Sequence, residues 1–288
     1  MQRFSSDERA ILSSVFSMGP KMIGHLEAIG VTSLATLAGR EAAALAFEIN
    51  LHLGRAVINR TGIAALDNAI DAARRHCADT HAPPLPADWI AEIDALLAGG
   101  RRVILGLTGT PGAGKSSAAA ALAGHYGARA ALLPMDGFHL ANDELARLGL
   151  IDRKGAPASF DAAGFVALLA RLRADEPLTV YAPVFRREIE AAVAGSIAVR
   201  REHRLIITEG NYLLLDGAFA GVRPLLDACW YVDIARGERQ ARLIARHARH
   251  GRDAAAARAW IAGNDEPNAQ LVESTRPRAD RLIRWPPE

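Results

Sequence analysis

Lysine is nearly missing from this sequence, with Lys21, Lys115 and Lys154 the three in 288 residues. Cysteine is scarcer still. Cys77 and Cys229 are too few for a disulfide framework and too isolated for a metal knuckle, which leaves two structural thiols of a reducing compartment. No run approaches the roughly 18 apolar residues of a membrane-spanning helix, so no membrane partner is expected. A surplus of one charge is also lacking. The formal net charge is +2, and no global field draws the chain to nucleic acid or to a lipid surface. Asp7 and Glu8 precede a first apolar run of only a few residues, so a secretory leader is not expected and a cytoplasmic location is. What the chain has in abundance is apolar residues, 50% of the total, enough at this length to bury the cores of two domains.

The rarity of lysine gives weight to the one at position 115. A short apolar run (Val103, Ile104, Leu105, Leu107) leads into Gly109, Thr110, Pro111, Gly112, Ala113, Gly114, Lys115, Ser116 and Ser117. This is the G-x-x-x-x-G-K-[ST] spacing of a phosphate-cradling loop between a buried strand and an Ala-rich helix. Glycines let backbone N–H groups curl around a polyphosphate with no Cβ in the way. The helix that follows presents its positive end to the same anion. Lys115 supplies a mobile point charge for the β- and γ-phosphates, and the Ser116 hydroxyl suits a Mg²⁺ ligand. The pattern therefore predicts a site for ATP with Mg²⁺.

Residues 6–76 carry helical spacing without strand signals, as in Met22, Leu26, Ile29 and again in Leu66, Ile70, Ala73. The stretch FSMGPKMIGHLEAIGVTSLATLAG resembles a helix-hairpin-helix module, which implies backbone contact with a nucleic-acid phosphate. Ser17 stands where that turn has its first glycine, and residues 1–83 hold eight basic and eight acidic groups. Nucleic-acid footprints are net basic, so a protein-docking or stabilising role is the stronger expectation for this part. The run His81, Ala82, Pro83, Pro84, Leu85, Pro86 cannot continue a helix and reads as a stiff linker. Two domains are expected, 1–83 and 84–288.

Further buried strands are expected at 130–133, 204–209 and 230–234, and an amphipathic helix at 161–173 with Phe165, Leu168, Leu169 and Leu172 on one face. In open α/β sheets, ligands lie beyond the carboxyl ends of the strands. Asp136 then emerges at the same rim as the phosphate loop, where a carboxylate can accept the proton of an attacking hydroxyl. The local sequence also suits a mere turn before Gly137. His139 reads either as a substrate contact or as a solvated loop residue. Glu209 ends a strand beside the loop and suits a Mg²⁺–water network, with an arginine pair as the alternative. Asn211 and Tyr212 would fall on the acceptor side. Arg236, Arg239, Arg242, Arg246, Arg249 and Arg252 lie along one helical face, either a solvated surface or a lid over the triphosphate.

The runs MDGFHL, RKGAPASFD, YAPVFRREIE and NAQLVESTRPRADRLI occur in the order found in the P-loop kinases of the pantothenate kinase, uridine kinase and phosphoribulokinase superfamily, and resemble them. The likeness covers roughly 100–285 and extends to bacterial nucleoside- or fructose-kinase-like proteins. It implies a P-loop NTPase-type α/β fold, a doubly wound and mostly parallel sheet, here preceded by a small all-α domain. It implies Asp136 as the base for an acceptor hydroxyl, Asn268 facing substrate, and lid arginines, of which Arg242 and Arg246 are chosen. The pantothenate kinases carry Tyr-Ser-His where this chain reads Tyr181, Ala182, Pro183, which argues against pantothenate itself. Arg186 and Arg187 suit a more anionic acceptor or a simple surface pair. The expected partner is a small-molecule hydroxyl acceptor. A nucleic-acid-processing NTPase and a regulatory nucleotide-binding module are the rival readings.

Overall fold

The computed structural model describes residues 3–80, 83–174, 178–187, 189–249 and 254–286. The chain divides into two compact units, Met1–Ala82 and Pro83–Glu288. The first is all helical: α1 (Ser6–Ser14), α2 (Pro20–Ala28), α3 (Leu34–Ala38), α4 (Ala42–His52) and α5 (Arg60–Thr80). Ser5 and Glu8 form a reciprocal capping box at the start of α1, and Pro20 opens α2 where its missing N–H is no loss. The helices close over a core that includes Leu12, Ile23, Leu26, Leu45, Leu66 and Ile70.

In the second unit, α6 (Ala87–Leu97) precedes β1 (Val103–Thr108), α7 (Lys115–Tyr126), β2 (Ala130–Pro134), α8 (Asn142–Arg147) and α9 (Ala162–Arg173). A hairpin of β3 (Val180–Arg186) and β4 (Ala191–Val199) follows, then β5 (Leu205–Glu209) and β6 (Ala228–Asp233). The chain ends through α10 (Arg236–Arg249), α11 (Ala254–Trp260), a π-turn (Ile261–Asp265), α12 (Glu266–Glu273) and β7 (Arg281–Arg284).

The main sheet has the order β2-β5-β1-β6-β7, every pair parallel. All six residues of β1 and all five of β5 are buried, as continuous apolar runs must be when helices cover both faces. Phe165, Leu169, Leu213 and Phe219 fill one side of the sheet. Trp89, Ile93, Leu122 and Trp230 fill the other. The register sets Leu107 and Pro134 on either side of Glu209, so β1, β5 and β2 end at one rim. The β3–β4 hairpin is a separate antiparallel pair, its register shifted between Ala182 and Val184 around Pro183, which has no N–H to give a ladder. Neither the hairpin nor β7 was expected from the sequence.

Candidate active site

A cleft of about 970 Å³ opens over that rim. The loop after β1 forms one wall. Gly109, Gly112 and Gly114 have φ of 147°, 83° and 98°, a region that side chains disfavour. A Cβ at Gly109 would lie 2.6 Å from the Val232 carbonyl oxygen, and one at Gly112 would lie 3.0 Å from Leu243. The loop thus passes between β6 and α10 with room only for hydrogen. Lys115 folds back over it and donates to the carbonyls of Gly109 and Thr110 at 2.9 and 3.0 Å. Burial pulls its pKa down to about 8.

The Ser116 hydroxyl donates to Glu209 Oε1 at 3.0 Å. Glu209 is buried, and its carboxyl is pushed up to about 7, first by burial and then by the nearby charge of Asp136. Among the described residues no group of three or more His, Cys, Asp or Glu is placed to hold a metal. One carboxylate with one hydroxyl beside an anion cup fits Mg²⁺ instead, which keeps waters and takes phosphate oxygens rather than a protein cage.

Asp136 sits in the one-turn segment Met135–Phe138 beyond β2 and lines the same cleft. Arg187, from the hairpin, places Nη2 3.7 Å from Asp136 Oδ2. His139 is clamped between the rings of Phe160 and Phe185, with centroids 4.0 and 4.9 Å away. Its Nδ1 lies 2.9 Å from the Asp136 carbonyl oxygen and donates to it, and burial holds its pKa below the ordinary value. Asn211 also faces the cleft, its backbone carbonyl held by the Thr108 hydroxyl at 3.1 Å. Asn268 is buried in the opposite wall, 3.5 Å from both the Gly155 carbonyl and Asn264 Oδ1.

Two expectations need correction. Tyr212 does not reach the cleft. It is fully buried against Phe160 and Phe219, and its hydroxyl donates to the Gly155 carbonyl at 2.6 Å. Tyr212 lies in the turn that follows β5, where it, Leu213 and Leu214 are all buried. The arginine stripe also splits. Arg242 and Arg246 line the cleft, but Arg239 is 1% exposed and pairs with Glu266 on α12. Arg242 donates to the carbonyls of Ala113 and Trp285 and pairs with Glu238. His250 and Arg252 lie outside the described residues, as do the side chains of His247 and Arg249.

Other residues of the cleft escaped the sequence reading. Lys154 donates to Asn142 Oδ1 at 2.9 Å and to the Glu190 carbonyl at 2.7 Å, with its Nζ 5.0 Å from the centre of the Phe185 ring. Its rarity was the available signal. Trp260, Asn264 and Asp265 arrive on or beside the π-turn, whose widened geometry leaves no mark on sequence periodicity.

No family model matches the chain. An ATP-dependent kinase-like protein of Aspergillus versicolor is 37% identical over 160 residues, 52% of this chain and 92% of that protein. A Schizosaccharomyces pombe protein that carries a uridine kinase name is 37% identical over 143 residues, 46% of this chain; the match spans 59% of that relative's length. Among solved structures, a Silicibacter protein described as a fructose transport system kinase is 39% identical with a TM-score of 0.58. That match covers 64% of this chain and 90% of the other.

Proposed function

The chain belongs to the P-loop kinases of the pantothenate kinase, uridine kinase and phosphoribulokinase superfamily, and from that premise we propose that it transfers the γ-phosphoryl group of ATP to a hydroxyl of a small-molecule acceptor. The observation that carries this reading is that the phosphate loop and Asp136 line one cleft. A phosphoryl group held over Gly112, Gly114 and Lys115 is then within reach of an acceptor activated beside β2. Loop amides and Lys115 hold the β- and γ-phosphates. Ser116 and Glu209 would hold Mg²⁺, which neutralises phosphate charge when bound. Asp136 accepts the proton of the attacking hydroxyl. Arg242 and Arg246 face the charge that develops on the transferring group. His139, Arg187, Asn211 and Asn268 orient the acceptor, and Tyr212 contributes by fixing Gly155. Phosphoryl transfer needs mostly positioning and charge neutralisation, and these parts supply both.

The test is ATP consumption with Mg²⁺ across pantothenate, nucleosides, sugars and sugar phosphates. One class should be turned over, and Asp136→Asn should slow that turnover by about 10²–10⁴-fold with nucleotide affinity kept. A variant as fast as the native chain on a true acceptor removes Asp136 as the base.

A further inference from the structure

Helix α10 touches both sides of the cleft, and one buried residue joins them. The backbone carbonyl of Arg239 lies 3.3 Å from the place a Cβ at Gly112 would take, so Arg239 packs on the phosphate loop. One turn on, Leu243 packs against the same glycine, and Arg242 holds the Ala113 carbonyl. The Arg239 side chain runs the other way. Its Nη2 donates to Glu266 Oε2 at 2.7 Å, while Arg236 takes Glu266 Oε1 at 2.6 Å. Glu266 is the first residue of α12 and directly follows the π-turn that brings Asn264 and Asp265 into the cleft. Asn268 stands two residues further on, in the same wall.

The bond is a poor one if its purpose is stability. Arg239 Nε and Nη1 are buried with no hydrogen-bond partner, and a hydrocarbon of similar size would fill the space without that penalty. A pair whose arginine is buried and left with unpaired nitrogens is better suited to fixing one arrangement among several. The arrangement the pair could fix is the π-turn relative to the phosphate loop, and π-turns occur frequently at functional sites.

We propose that the Arg239–Glu266 pair is a positioning device that couples occupancy of the phosphate loop to the order of the acceptor wall at 261–268. This rests on the phosphoryl-transfer reading above. Nucleotide on the loop settles Gly112 against α10, α10 holds Glu266, and Glu266 holds the turn that presents Asn264, Asp265 and Asn268. Binding of nucleotide then strengthens binding of the acceptor, and the reverse follows by linkage.

The test is amide hydrogen exchange on the full chain with and without a non-hydrolysable ATP analogue and Mg²⁺, alongside the affinity for that analogue. In the native chain the analogue should slow exchange across 261–268 by about tenfold. In Arg239→Met and in Glu266→Gln the analogue should still bind, with that nucleotide-dependent slowing lost and the slowing at the loop itself kept. Arg239→Lys, which keeps a charge facing Glu266, should recover part of it. A merely structural pair would raise exchange in α10 and α12 equally with and without the analogue. That result overturns the proposal, as does a native chain that binds the analogue without protecting 261–268. A native chain that fails to bind the analogue at all overturns the phosphoryl-transfer reading and the coupling with it.

Discussion

Lys115 and Glu209 make the cleft an unfavourable place to keep charge. The Lys115 pKa is depressed to about 8, below its unfolded value of 10.5, so the folded chain binds fewer protons than the unfolded chain between these values. For this group the fold gains stability as pH rises through that window. Glu209 is shifted the other way, to about 7 from 4.5. Its contribution is fully present below 4.5 and is lost as pH rises to about 7. The two groups together penalise the fold most between about 7 and 8, where both are charged, Lys115 as phosphate binding requires and Glu209 as Mg²⁺ binding would. Nucleotide affinity measured without divalent ions should therefore weaken from pH 7 to 9, approaching tenfold per unit above the Lys115 pKa. Lys115→Met should bind weakly with no such slope. A native profile flat across that range would mean that Lys115 does not meet the phosphates.

The hairpin of β3 and β4 is the element that seats the proposed base. A Cβ on Gly137 would collide with the Pro183 carbonyl, so β3 lies directly on the turn that carries Asp136. Arg187 then reaches that carboxylate from the end of the same strand. Gly137→Ala should push the two apart and lower turnover by at least about tenfold, since misplacement by about an ångström is enough for that. Nucleotide affinity should hold, because the phosphate loop sits on β1; a parallel loss of both would show that the turn also supports the loop. The hairpin was also the least legible part of the sequence. Strands β1, β5 and β6 announce themselves because a parallel strand buried on both faces is an apolar run, as in Leu205, Ile206 and Ile207, and the edge strand β2 shows a shorter one. Strand β3 has Pro183 in its interior, which argues against a strand read alone. Strand β7 reads Arg281, Leu282, Ile283, Arg284 and is recognisable only through its pairing with β6. The same reason explains Arg239. Helical spacing placed it with Arg242 and Arg246, but a carboxylate on α12, distant in sequence, drew it inward. Local pattern thus exposed the phosphate loop by its fixed spacing, and Asp136 and Glu209 as carboxylates just past apolar runs that line the same cleft, and missed residues whose neighbours come from elsewhere in the chain.

The chain as a whole carries separate cores rather than one. The core of the helical unit (Leu12, Leu26, Leu66 and their neighbours) shares no residue with the clusters on the two faces of the sheet. A chain that divides into two compact units is expected to depart from a single two-state transition. Ligand linkage offers a way to tell the transitions apart. A nucleotide that binds only the folded Pro83–Glu288 unit, at a hundred times its dissociation constant, stabilises that unit by about 2.7 kcal/mol. For a unit of this size that corresponds to a rise of about 5–10 °C in Tm. Scanning calorimetry of the full chain should then show two transitions, of which Mg²⁺ with the non-hydrolysable analogue moves one and leaves the other in place. A single transition that moves as a whole would show that the helical unit unfolds in step with the Pro83–Glu288 unit. The helices at 6–80 would then belong to the energetics of the phosphate site, and their removal should weaken nucleotide binding.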